Sequence, residues 1–158
     1  MSSPDAVTTT TAVDRKRVGR SARFAMSLPA ARGPAAADRA PTLVLISQLQ
    51  LRSVRDVPRF LRDSLTLRRA FRTAPGAGTL RLAANPAVCT FWTWSSWNDK
   101  DAMDRYTGSA IHRAIMTRYR AKLQHSRFQT LQAQTHGPLP HDWQAVAQHL
   151  ASDDPHVP

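Results

Sequence analysis

The chain has 158 residues and a formal net charge of +11, a length that favours one domain. No run approaches the roughly 20 apolar residues that cross a bilayer, Asp5 precedes any apolar stretch, and a lone Cys89 excludes an internal disulfide; these features predict a cytoplasmic protein with no secretory leader. The charge is spread along the chain, every acid is Asp, and the Arg- and Ala-rich bias resembles GC-rich coding, so with no nucleic-acid module in sight nucleic acid is not the expected partner.

Residues 1–41 read as a disordered basic, Ala/Pro-rich arm. Thr8 to Thr11 is low in complexity, Asp14-Arg15-Lys16-Arg17 is a charge cluster, and Pro29 to Pro41 breaks any period. Thr42 to Leu51 is the first strand, apolar at first and then alternating, with Ser47, Leu49 and Leu51 on one face. Ser53 or Asp56 can cap the helix that follows, and Pro58 suits its first turn. Val57, Phe60, Leu61, Leu65, Arg68 and Phe71 form its stripe, and Arg55, Arg59, Arg62, Arg69 and Arg72 its solvated side. Pro75-Gly76 ends it.

Gly78 to Ala84 is a second strand, turned by Asn85-Pro86. Val88 to Trp97 is the third strand, aromatic and β-branched, with Thr90, Trp92, Trp94 and Ser96 on one face and Cys89, Phe91, Thr93, Ser95 and Trp97 on the other. Asn98 or Asp99 caps the next helix; Gly108 interrupts it and Ser109 restarts it. Arg127 to Thr135 is the fourth strand, ended by Gly137-Pro138, and Asp142 to Leu150 is a short amphipathic helix through Trp143, Val146, Ala147 and Leu150. His136 and His141 flank that turn without Cys or carboxylate partners, so no metal site is expected.

The order β-α-β-β-α-β plus a C-terminal helix predicts an α+β, ferredoxin-like domain over residues 42–151, with a frayed tail at 152–158. Two right-handed crossovers put both main helices on one sheet face. The other face, left bare, predicts a homodimer packed sheet on sheet as a closed α+β barrel.

Thr90-Phe91-Trp92-Thr93-Trp94-Ser95-Ser96-Trp97-Asn98-Asp99, then Ala102-Met103 and His112-Arg113-Ala114-Ile115-Met116, resemble the antibiotic-biosynthesis monooxygenase superfamily. The likeness is nearest to small bacterial proteins related to spheroidene monooxygenase. Val57-Pro58-Arg59-Phe60-Leu61 and Ala74-Pro75-Gly76 fit the same pattern, which covers about 95 residues. The resemblance implies a dimeric α+β barrel and an oxidoreductase of secondary metabolism acting on an aromatic polyketide or polyene. It also admits a cyclase or isomerase working without oxygen, and a haem- or ligand-binding protein without turnover. The haem-degrading branch has Asn where Ser47 stands, Trp where Tyr106 stands and its histidine ligand near Met116; all three depart here. The anthrone-oxidising branch uses Asn, Trp and Arg; Trp92 or Trp94 matches the Trp, and no strand Asn matches. The expectation is therefore no cofactor, with haem on His112 left open.

His112 is the leading catalytic candidate. It lies on the apolar side of a helix, three positions after the cap Ser109, where burial and the helix N-terminus both disfavour imidazolium. A neutral imidazole there can accept a proton; the plainer reading is a core histidine donating to a backbone carbonyl. Trp92 and Trp94 can form a flat slot for a small apolar aromatic or conjugated substrate, with Ser96 and Met116 beside them; ordinary packing is the plainer reading. Tyr106 or Ser47 is expected to steady the anion left by proton removal.

Overall fold

The structure is a computed structural model that describes residues 26–36, 41–132, 140 and 142–152. Most of the arm at 1–41, the strand end at 133–135, Gly137-Pro138, His136, His141 and the tail from 153 lie outside these residues.

Six strands form one antiparallel sheet: β1 (Met26–Ser27), β2 (Ala31–Arg32), β3 (Leu43–Leu51), β4 (Ala77–Asn85), β5 (Thr90–Trp97) and β6 (Leu123–Gln132). The path is β1-β4-β5-β3-β6, with β2 also on β4. The four long strands and the helices between them are the expected βαββαβ arrangement. The helices are α1 (Val57–Phe71), α2 (Lys100–Thr107), α3 (Ala110–Tyr119) and α4 (Trp143–Ser152).

Local chemistry explains the boundaries. Ser53 accepts the Arg55 N–H and caps a short 3-10 turn, and Pro58 opens α1 where its missing N–H costs nothing. Gly76 takes the left-handed conformation (φ 79°), and a Cβ there would stand 2.5 Å from the Ala102 Cβ, so the turn into β4 requires glycine. Asp99 accepts the Ala102 N–H at 2.7 Å and caps α2. Ser109 accepts the His112 N–H and starts α3 after Gly108.

Three boundaries differ from expectation. Pro86–Val88 winds into a 3-10 turn and Cys89 takes a left-handed φ of 52°, so β5 starts at Thr90 rather than Val88. The mostly polar run Leu123–Ser126 joins β6 because β3 pairs with it down to Leu51↔Leu123, across a register shift between Gln50 and Leu51. Part of the arm is ordered: Met26–Ser27 and Ala31–Arg32 add to the exposed edge of β4, which supplies the backbone partners that composition alone did not reveal.

The sheet has two dissimilar faces. Helices α1, α2 and α3 cover one, through Phe60 on Phe91 (ring centroids 4.4 Å), Phe60 on Tyr119 (4.9 Å) and Phe71 on Trp97 (5.1 Å). Asp63 on α1 locks that layer together, accepting from Arg118 at 2.5 Å and from the Tyr119 hydroxyl at 2.8 Å. Burial pushes the Asp63 carboxyl up, but these two donors outweigh it and hold it below its ordinary value. The second face is not bare: α4 lies across it, packing Val146, Ala147 and Leu150 on Val44, Ile46, Ala83, Trp92, Trp94 and Leu131. The apolar stripe of α4 has the same need for cover as the sheet, and the two meet within one chain.

Candidate functional site

Between the sheet and the α1–α3 layer lies a cavity of about 530 Å³. Leu45, Ser47 and Leu49 of β3 floor it with Leu80, Leu82 and Ala84 of β4 and Phe91, Thr93 and Ser95 of β5. Register makes this face continuous, since Ser47 stands opposite both Thr93 and Phe128. Leu61, Ser64 and Leu65 of α1, Tyr106 of α2, and His112, Ile115 and Met116 of α3 roof it. The lining contains no Asp, Lys or Arg.

His112 reaches this cavity. Burial lowers its pKa below the ordinary 6.5, only partly countered by a hydrogen bond to the Thr107 backbone. The ring is thus neutral, with one nitrogen donating to that backbone and the other left as an acceptor. Its plane meets the Tyr106 ring edge-on at 5.4 Å.

Ser47 and Thr93 form the other polar feature. Their hydroxyls are 2.6 Å apart across the β3–β5 pair, and Ser47 is buried. One O–H donates to the other oxygen, which leaves the second proton free to meet a ligand. The remaining lining hydroxyls are committed: Ser64 donates to the Phe60 carbonyl, Thr107 to the Met103 carbonyl and Ser95 to the Leu45 carbonyl. Thr93 was not singled out from sequence. Its signal was its place opposite Ser47, which needs the strand register.

Three expectations change. Trp94 does not line the cavity, whereas Trp92 is among its lining residues with His112. The two tryptophans alternate with Thr93 and Ser95, and both pack in the cluster under α4. Ser96 goes with them; its Oγ accepts the Thr79 N–H at 2.8 Å beside the register shift in β4, a structural stitch. Tyr106 lines the cavity, but its hydroxyl donates to the Leu67 carbonyl at 2.8 Å and burial raises its pKa. Its one proton is thus engaged with the backbone of α1. Met116 does line the cavity, beside His112.

Haem does not suit this hollow. His112 is present as a ligand type, yet no Lys or Arg in the lining meets the carboxylates of the macrocycle. Among the described residues no group of three or more His, Cys or Asp side chains is placed to hold a metal ion. No helix there is long and apolar enough to cross a membrane.

No family model matches the sequence, and no curated protein matches it. Solved structures do. A heme-degrading enzyme from Listeria monocytogenes superposes with a TM-score of 0.56 at 16% identity, over 68% of this chain and 69% of that one. The cofactor-independent oxygenase SnoaB from Streptomyces nogalater gives 0.51 at 17% identity, over 63% of this chain and all (100%) of its own. An antibiotic biosynthesis monooxygenase gives 0.53 at 15% identity, over 62% and 99%. At these identities the likeness is one of backbone, and the chemistry of the neighbours does not transfer with it. The chain therefore has the ferredoxin-like fold of the antibiotic-biosynthesis-monooxygenase-like proteins.

Proposed function

We propose that the protein is a monooxygenase-like enzyme that holds a small apolar aromatic or polyene substrate in this cavity and removes an acidic proton from it with His112. The single observation that carries this reading is a neutral imidazole, one nitrogen unclaimed, lining an otherwise uncharged hollow. Such a base needs no partner charge, and a dry wall strengthens its interaction with a polarised substrate.

The substrate C–H or O–H proton passes to the free nitrogen of His112, and its electron pair moves into an adjacent carbonyl as an enolate. The uncommitted hydroxyl proton of the Ser47–Thr93 pair donates to that oxygen, the role expected earlier of Tyr106 or Ser47. With dioxygen as co-reactant, the carbanion reduces it and combines with it; a CH2 group becomes C=O and one water leaves. Without dioxygen the same enolate cyclises or isomerises.

Two copies paired through the α4-bearing face complete the proposal. Gln48 Oε1, Gln129 Oε1 and both indole nitrogens of Trp92 and Trp94 are buried there without partners in the single chain, which supports a face whose polar groups a second copy completes on pairing. Sedimentation reads this directly, and a monomer at working concentration overturns it.

The catalytic test is oxygen uptake with a hydroxyanthrone. His112→Ala should lower the rate by about a hundredfold or more, and Ser47→Ala by about tenfold. An unchanged rate in His112→Ala overturns the base. Substrate turnover that continues without oxygen selects the cyclase or isomerase course.

A further inference from the structure

We infer that Met26 and Leu28 form the wall of the cavity that sets ligand specificity, an inference that rests on the ligand-binding reading above. Without the N-terminal segment, β4 would be the edge of the sheet and the cavity would open beside it. Met26 pairs with Ala84 and Ser27 with Ala83, and the Leu28 N–H donates to the Leu82 carbonyl at 3.0 Å. Alternation then directs Met26 and Leu28 to the cavity face and Ser27 to the opposite one. Both consequences are seen. Met26 and Leu28 line the cavity, and the Ser27 hydroxyl accepts from the Trp143 indole of α4 at 2.8 Å.

The segment is also fixed from the helix side, where Arg68 of α1 donates to the Pro29 carbonyl at 2.9 Å. Farther along, Gly33 donates to the Gly78 carbonyl at 2.7 Å and Ala35 to the Ala77 carbonyl at 2.9 Å. A strap tied to the sheet edge, to α1 and to α4 is held as a wall.

Its apolar side chains have little to bury against. Met26 is 65% exposed and Leu28 44%, as are two other lining residues, Leu65 at 40% and Phe128 at 56%. One exposed apolar side chain on a surface is ordinary, whereas four that line one cavity mark a place that something covers. All four lack charge and hydrogen-bonding groups. They suit the uncharged end of a ligand, an aromatic ring or a conjugated chain, and reject a carboxylate or phosphate. Met26, unbranched and polarisable, adapts to that end. The polar groups that meet the reacting end, Ser47, Thr93 and His112, belong to the central strands and α3.

The test is fluorescence titration of the full chain with N-phenylnaphthylamine, a neutral aromatic probe that brightens in apolar surroundings. Replacing both side chains (Met26→Ala with Leu28→Ala) should weaken binding about tenfold, with an unchanged thermal midpoint, because both positions are largely exposed. Met26→Trp, which fills the opening, should weaken this probe more than the smaller naphthalene. A double variant that binds as the wild type does overturns the inference and leaves the cavity reading intact. A wild-type protein that binds no probe overturns both.

Discussion

The two faces of the sheet are built from the same four strands and end in opposite states. The face under α1–α3 keeps a hollow, and its side-chain hydroxyls and indole are satisfied: Trp97 donates to Ser95, Ser47 pairs with Thr93, and Tyr106 donates to Leu67. The face under α4 is filled by large side chains, and the four unpartnered buried polar atoms of the described residues all lie on it. Close packing and polar satisfaction are thus separable. A face can be dense and still leave donors stranded, and a face can be hollow with each polar group assigned a task.

The sharpest break between the faces lies in large-to-small substitutions. Trp92 is wholly buried under α4, so Trp92→Ala should cost about 3–5 kcal/mol. Leu82 faces the cavity and already lacks neighbours on one side, so Leu82→Ala should cost only about 1 kcal/mol. Denaturant unfolding compares the two. Equal losses would mean that the cavity face is as well packed as the other. A smaller effect of opposite sign is expected at Gln48, whose Oε1 is buried without a partner. Gln48→Met keeps the length and removes the stranded group, and should raise the stability of the unpaired chain by about 1 kcal/mol. A loss instead would show that something outside the single chain satisfies that oxygen.

Element types and order were legible because each rests on local signals: the alternating aromatic run of β5, Pro58 in the first turn of α1, Gly108-Ser109 between α2 and α3. The strand faces were legible too, since Trp92 and Trp94 were grouped against Thr93 and Ser95. What sequence could not say is which face meets the helices of the crossovers. Both faces of β5 carry large aromatics, and the choice is made by register with β3 and by the packing of Phe71 on Trp97. Choosing the Trp92/Trp94 face as the slot followed from indole chemistry, whereas the cavity lies chiefly on the other face of the sheet. His112 and Ser47 were legible as residues that could meet a ligand, because each carries a polar group on an apolar face. Thr93 and Met26 were not, because their positions depend on pairs distant in sequence, Ser47↔Thr93 and Met26↔Ala84.

The smallest effect separates the faces by pH. On the cavity face His112 is held neutral, its pKa pushed below 6.5 chiefly by burial. The unfolded chain takes up that proton near 6.5, whereas the folded chain resists until the pH is lower. Between those points the unfolded state binds more protons, so stability rises with pH and is complete above the unfolded value. Wild-type stability should accordingly begin to fall as the pH drops through about 6.5. In His112→Gln, which can still donate to the Thr107 backbone, this part of the decline should vanish. The decline that stays belongs to carboxyls such as Asp63, whose lowered pKa makes its contribution complete above 3.8 and loses it only as the pH falls farther. Denaturation midpoints measured from pH 8 to pH 3 resolve the two windows. If the upper part of the decline survives in His112→Gln, the imidazole is not held neutral by the fold, and the base assigned to the cavity loses its physical ground.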